Sequence, residues 1–363
     1  MTAIDQTGPA PTGAARDAPD TRRVAVVMPI PNDPDWTIFE ELSEDVPILV
    51  VDDSDGKLAP PPRENVVYYD YAAQRDVMGA NYDAIPHKSA ATRNFGHVLA
   101  FREGYDVIIA LDYDCRTRAG WLEDHLECLA TVTDAPALAG KWINSVEQPG
   151  FYARGFPYEY RNPVDAAVNA TVASGQVKMN MGVWDNVLDL NGIDKLERDD
   201  VPRDPGLTTT RNRVALGNIP VCGMNTAFTA DVTPAYFFLP DVWIDGWQLS
   251  RHDDIWGGYI TKKLMDIRGD LFTYGLPVVE HTRQSRLEKV ILIEHYMHLM
   301  ALDFYAVVDA AAEQVRPGDY ASMFGAFVDA YMGEVSRRDM PLHFRGAMAE
   351  LGMWMQRWVA CFA

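Results

Sequence analysis

Short apolar runs that end abruptly in acidic residues recur along the first third of this chain, and they restrict its fold more than any other feature. RRVAVVMPIP stops at prolines near residue 30, VPILVVDDSDG runs into aspartates at 52–55, and YDVIIALDYDC runs into Asp112 and Asp114. Runs this short, unbroken by polar positions and closed by Pro, Asp or Gly, read as buried strands. ENVVYYDY (64–71) reads as another. Between them, Lys88 to about Arg102 carries Ala91, Phe95, Val98 and Leu99 at helical spacing, and WLEDHLECLA (121–130) reads as a helix. Strands alternating with helices imply an α/β fold, a mostly parallel sheet covered by helices on both faces. Ligands of such sheets bind beyond the carboxyl ends of the strands. Three polar clusters are expected there: Pro29–Asp33, Asp52–Asp55 and Asp112–Asp114. Neither GxGxxG nor GxxxxGK[ST] occurs at these turns, which removes the main support for a dinucleotide site or a P-loop.

The remaining organisation follows from composition along the chain. Residues 1–22 are rich in Pro, Gly, Ala and Thr without periodicity and read as a disordered tail. Residues 23–285 form the expected α/β domain, irregular and aromatic-rich from about 140. Residues 286–363 turn helical, with a break at Pro317-Gly318 and apolar stripes suited to packing. At 363 residues the chain exceeds what one core usually serves. Its 32 basic against 52 acidic residues give a net charge of −20, which repels nucleic acid and anionic membranes. A few arginines and a metal can still make a local site for a small anion. The four cysteines, Cys115, Cys128, Cys222 and Cys361, have no metal-type spacing and are expected as reduced thiols. Asp5 and several prolines occupy the place where a signal peptide needs apolar residues, and no long uninterrupted apolar stretch appears. The expectation is therefore a cytoplasmic protein without a membrane span.

Four groups of residues have chemical potential, each with a plainer alternative. Asp112 and Asp114, one residue apart after a buried strand, suit a hard divalent cation such as Mn²⁺ or Mg²⁺; the alternative is a solvated turn. Asp253 and Asp254 in RHDDIW precede an apolar helix start, where they would serve as acid–base groups or merely as helix caps. His281, after YGLPVVE, is a further candidate metal ligand or an ordinary core histidine. Arg154 and Arg161 in FYARGFPYEYRNP could clamp a diphosphate bidentately, or lie over the aromatic residues at the surface. In VCGMNTAF, Cys222 has no His/Asn arrangement suggesting a thiol nucleophile.

In chain order from about Val24 to Arg286, MPIPND, VVDDSDG, HKSAATRNFG, DYDC, ARGFPYEYR, IPVCGMNTAF, RHDDIWGGYITKK and YGLPVVEHTRQS together resemble the reversibly glycosylated polypeptides. These are the UDP-arabinopyranose mutases of glycosyltransferase family 75. The resemblance implies a GT-A-like, Rossmann-related fold, a UDP-sugar as substrate and Mn²⁺ or Mg²⁺ as cofactor. The implied reaction interconverts pyranose and furanose forms of a UDP-pentose such as UDP-L-arabinose. Arg154 matches the arginine that becomes reversibly glycosylated in the family, and Arg161 matches a second arginine important for activity. The family usually has three consecutive aspartates where this chain has Asp112-Tyr113-Asp114.

On that basis Asp112, Asp114 and His281 are expected to hold the metal. Pro29, Asp52, Asp53 and Asp55 would cradle uracil and ribose, Arg93 would face the diphosphate, and Lys88 would bind the substrate. Cys222, Gly223, Asn225 and Trp256 would line the substrate pocket. Arg154 would stabilise the released diphosphate or briefly accept the sugar, with Arg161 beside it. A guanidinium with a pKa above about 12 is a poor nucleophile, so a covalent role needs Asp253 or Asp254 to take its proton. The resemblance also implies that copies of the chain can associate. Two other functions stay open: a metal-dependent glycosyltransferase acting on a small-molecule or glycan acceptor, and a non-catalytic UDP-sugar-binding subunit.

Overall fold

The apolar runs become fully buried strands: β1 (Val24–Ile30), β2 (Ile48–Asp52) and β4 (Val107–Leu111), with the half-buried β3 (Val66–Tyr69) beside β2. They pair in parallel in the order β3-β2-β1-β4. Continuous Val and Ile suit strands covered on both faces. Helix α1 (Tyr71–Met78), capped by the Asp70 side chain, follows β3. Helix α2 (Asn94–Arg102) packs on β1, β2 and β4, and α3 (Trp121–Cys128) follows β4. This computed structural model describes residues 21–32, 35–39, 42, 44–59, 63–186, 188–197, 212–281 and 286–363. Most of the expected tail, Asp33 and the boundary expected at 285 lie outside the described residues.

Beyond β4 the sheet changes character. Strand β10 (Asn225–Thr229) is antiparallel to both β4 and the C-terminal part of β7 (Val168–Met181). Strands β6 (Thr131–Trp142), β7, β9 (Arg213–Asn218) and β13 (Leu271–Tyr274) pair as β7-β6-β9-β13, and β13 returns to β7, so these four close on themselves. Among these four, β6–β9 and β7–β13 are parallel while β6–β7 and β9–β13 are antiparallel, so the uniformly parallel part of the sheet is the N-terminal one. A small sheet places β14 (Val279–His281) between β5 (Cys115–Arg116) and β8 (Trp184–Asn186). The strands β11 (Val242–Ile244) and β12 (Trp247–Leu249) form a hairpin. Helix α4 (Gly192–Glu197) lies between β8 and β9, and α5 (Asp253–Arg268) follows the hairpin.

The C-terminal segment is helical as expected: α6 (Leu287–Ala312), α7 (Tyr320–Arg337) and α8 (Leu342–Val359). By length and composition α6 could cross a bilayer. Its apolar stripe, including Met297, Met300, Phe304 and Val308, is buried in the same hydrophobic cluster that contains β1 and β4. Phe304 stacks on Trp256 of α5 with centroids 4.0 Å apart, and the Trp358 indole of α8 donates to the Pro234 carbonyl at 2.9 Å. The helices thus share the core of the sheet.

Candidate functional site

After β1 the chain adds β2 and β3 on one side and then crosses to add β4 on the other. That reversal opens a crevice at the strands' carboxyl ends, the usual ligand position in such sheets. A cavity of about 760 Å³ lies there. Pro29 and Asn32 line it after β1, Asp53 and Lys57 after β2, and Asp112, Tyr113 and Asp114 after β4. Lys88, Ser89 and Arg93 close one side, and Asp241 and Arg251 arrive from later in the chain. Pro29, Asp53, Lys88, Arg93, Asp112 and Asp114 therefore converge as expected.

Three local devices set this geometry. Asp53 accepts hydrogen bonds from the Lys88 and Ser89 amides (2.8 and 3.2 Å) and from the Tyr71 hydroxyl (2.9 Å), fixing the loop that precedes α2. The buried Arg93 guanidinium donates to Asp112 Oδ1 at 2.6 Å and to the Gly223 carbonyl at 2.9 Å, with Phe238 4.6 Å beneath it. Burial opposes its charge, but Asp112 outweighs burial and holds the guanidinium protonated beyond the ordinary arginine range. The Arg93 Nε donates to the Ala90 carbonyl at 3.1 Å, so Arg93 orients Asp112 with all three of its guanidinium nitrogens already engaged. Finally, the pairing of β14 with β5 sets His281 opposite Cys115, so its Nε2 lies 3.9 Å from Asp114 Oδ2.

That last separation bears on a metal. Two donors at about 2.1 Å from one hard cation can lie up to about 4.2 Å apart, so Asp114 and His281 fit a shared ion. Asp112 Oδ1 is engaged by Arg93. Among the described residues no group of three or more His, Cys, Asp or Glu converges on one point. The donor set is therefore sparse and leaves room for substrate oxygens.

Behind the main cavity, and sharing Arg93, Asp112 and Arg251 with it, is a pocket of about 180 Å³ holding Arg154, Cys222, Asp253 and Asp254. Arg154 sits in the loop after β6, where Asn144 accepts from the Ala153 amide and the Arg154 amide donates to the Asp189 carbonyl. Gly155, at φ +84°, gives the left-handed turn there, and a Cβ on it would press into Ile255. The Arg154 side chain donates at 2.7 Å to each of Asp189 Oδ2, Asp254 Oδ2 and the Arg251 carbonyl. Burial disfavours its charge, yet Asp254 and Asp189 hold its pKa well above the ordinary value. Asp189 in turn is held well below the carboxylate range by Arg154, Lys195 and Arg251, against its burial.

Asp253 and Asp254 begin α5, and both are buried. Asp254 also accepts from the Gly223 amide at 3.0 Å. Gly223 is required there because a Cβ would collide with the Phe238 ring. Burial first, then the neighbouring Asp254 carboxylate, push the Asp253 pKa up, with Arg154 opposing. Burial also pushes the Cys222 thiol up, which keeps it protonated and unsuited to nucleophilic attack.

Besides Gly223, which lines neither cavity and holds Arg93 and Asp254 through its backbone, five expected residues have other work. Asp52 is fully buried and caps its own turn, accepting from the Ser54 amide (2.6 Å) and the Tyr68 hydroxyl (2.5 Å). Asp55 is exposed at φ +67° in that turn, outside the cavity wall. Asn225 is completely buried; it accepts from Trp121 and lies 2.9 Å from His125 Nε2, and it donates to the Val183 and Pro277 carbonyls. Trp256 lies in the core against Phe304. Arg161 forms a bidentate pair with Asp194 at 2.8 and 2.9 Å and lies over Tyr152 and Tyr158, outside both cavities. Sequence reasoning missed Asp189, Asp241, Arg251 and Glu294. Only Arg251 carried a signal, being the first residue of RHDDIW.

A sequence-family model described as reversibly glycosylated polypeptide matches residues 23–359. UDP-arabinopyranose mutase 1 of Arabidopsis thaliana is 25% identical over 252 residues, covering 66% of this chain and 65% of that protein. The probable UDP-arabinopyranose mutase 1 of Pisum sativum is 25% identical over 292 residues, covering 76% and 73%. The chain thus matches just under two thirds of the length of the first of these relatives. Among solved structures, glucosyl-3-phosphoglycerate synthase from Mycobacterium tuberculosis, in complex with Mg²⁺ and UDP, superposes with a TM-score of 0.43 at 14% identity, over 79% of this chain and 80% of that one. That likeness is loose, and the site rests on the contacts described above.

Proposed function

The chain belongs to the reversibly glycosylated polypeptide family, and from that premise we propose that it is a UDP-sugar mutase interconverting pyranose and furanose forms of a UDP-pentose. The observation that carries this reading is the inner pocket, where Arg154 is clamped between Asp189 and Asp254 beside Asp253. Asp114 and His281, aided by Asp112, would hold a divalent ion that offsets the charge of the diphosphate as it leaves the anomeric carbon. Lys57 and Lys88, on the cavity wall, supply further positive charge for the diphosphate.

The ring change needs a proton to leave the hydroxyl that will close the new ring and a proton to reach the old ring oxygen. Asp253, buried beside the cavity and with a raised proton affinity, is suited to both transfers. Arg154 acts as a fixed positive charge that stabilises the anion while it is free of the sugar. Its two carboxylate partners favour the protonated guanidinium, which argues for this role over attack on the sugar. Arg161, paired with Asp194, braces the loop that carries Arg154.

The test is incubation with UDP-arabinopyranose and Mn²⁺, with and without EDTA, followed by chromatographic detection of the furanose isomer. The isomer should form only with the metal present. No isomer, or transfer appearing only when an acceptor sugar is added, would replace this reading with a glycosyltransferase.

A further inference from the structure

A second cavity adjoins the first. It has a volume of about 380 Å³ and shares Lys88, Ser89 and Asp241 with the main cavity as a common wall. Its far side is built from Trp243 and Gln248 of the β11–β12 hairpin and from Trp354 of α8. Trp243 is 66% exposed and Trp247 of the same hairpin 53%, but only Trp243 lines the groove. The hairpin gives it little freedom. Val242, Ile244 and Leu249 are buried, Trp243 is directly opposite Gln248, and Asp245-Gly246 make a tight turn with both φ angles positive. The opposing loop is equally fixed, because Asp53 accepts from the Lys88 and Ser89 amides. The exposed indole is therefore presented rather than frayed.

We infer that this groove binds a neutral saccharide next to the nucleotide-sugar cavity. A flat indole bordered by an amide and a carboxylate offers one apolar face and several hydrogen-bonding groups, the complement of a sugar ring with its C–H face and its hydroxyls. Gln248 Nε2 donates to Asp241 Oδ2 at 2.7 Å, which fixes both groups on the groove wall, and the amide of Gln248 retains an acceptor oxygen suited to a hydroxyl. The groove carries Lys88 against Asp241, with His87 beside them on its wall, so its fixed charges balance, and the −20 net charge disfavours anions further. Its volume lies within the range of small-molecule sites, roughly 300–1,000 Å³. A saccharide held here would lie across one shared wall from the UDP-sugar. This inference draws on the proposed function only for the identity of that neighbour.

The experiment is calorimetric and fluorescence titration of the full chain with cellobiose, xylobiose and maltose, alone and with UDP, using glucose 6-phosphate as the anionic control. At least one of the three disaccharides should bind saturably with a Kd of about 1–10 mM. Trp243→Ala, which removes an exposed side chain, and Gln248→Ala should each weaken that binding tenfold or more while UDP affinity stays within about twofold. Absence of saturable binding by all three disaccharides would overturn the inference. So would binding that Trp243→Ala leaves unchanged, or tighter binding of the phosphorylated sugar. Disaccharide binding without any UDP binding would instead sink the proposed function and leave this groove standing.

Discussion

At the scale of single residues, Asp253 is the group whose surroundings most plainly prepare it for chemistry. Burial and the adjacent Asp254 raise its pKa, so the folded protein holds its proton to higher pH than the unfolded chain does. A raised folded value contributes stability below the unfolded pKa, and that contribution is lost as pH rises through the folded value. Activity runs the other way, because a proton acceptor must first be empty. Turnover should therefore rise across a limb well above the usual carboxylate value of about 3.9. Asp253→Asn should lower turnover by about 10²–10⁴-fold and remove that limb. It should also gain melting temperature relative to wild type at about pH 8 compared with about pH 5. An unchanged pH–rate profile in the variant would remove Asp253 from the mechanism. Asp112 and Asp114 were legible in the sequence because they stood where an apolar run ended, the Asp253-Asp254 pair because it preceded an apolar helix start, and Arg154 because it is one of two arginines set among aromatic residues in FYARGFPYEYR. Asn225 and Trp256, expected in the pocket from the motifs VCGMNTAF and RHDDIW, are core residues, since a buried amide and a buried indole are needed for packing as often as for binding. Asp189 gave no signal, because it meets Arg154 only through a contact 35 residues distant.

At the scale of elements, the parallel half of the sheet was readable because β1, β2 and β4 are buried throughout and therefore continuously apolar. Strands β6 and β7 were not. Most of their residues are exposed or half-buried, so neither shows an apolar run, and Pro136, Gly140 and Gly175 interrupt both patterns. The helical segment after residue 286 was legible as helix, but its connection to the site was not. Glu294 of α6 is buried and accepts from Arg251 Nε and from the Gly192 amide, both at 2.6 Å. Arg251 in turn gives its carbonyl to Arg154 and its guanidinium, at 3.4 Å, to Asp189. Glu294 is thus a positioning residue acting through Arg251. Glutamine retains the shape but has a single acceptor oxygen for two donors. Glu294→Gln should lower kcat by about tenfold to a hundredfold, with KM for the UDP-sugar within about threefold, as expected when a reacting group shifts while binding persists. A KM that rises in step with the fall in kcat/KM, or an unaltered kcat, would show that α6 only supports the fold.

For the whole molecule, the decisive matter is that sheet and C-terminal helices bury one another. Trp256 stacks on Phe304, Trp142 meets Tyr305 edge-on at 5.0 Å, and Phe237 stacks on Trp358 at 5.0 Å. Trp142, Trp256 and Phe237 are all essentially inaccessible to solvent, and each would lose an aromatic contact and its cover from the helices if the chain stopped before α6. Exposing such side chains costs about 1.5–3 kcal/mol apiece, against a total stability of about 5–15 kcal/mol. Arg251 would also lose Glu294, leaving the Arg154 cluster without its outer brace. A chain cut after residue 286 should therefore unfold without a cooperative thermal transition, bind a hydrophobic dye, and show no saturable affinity for UDP, although every residue lining the main cavity remains present. The measurement is calorimetry and dye fluorescence on the cut and full-length chains, with UDP titration of both. A cut chain that melts sharply and binds UDP as the full chain does would show that the sheet folds alone and that the helices are an addition to it.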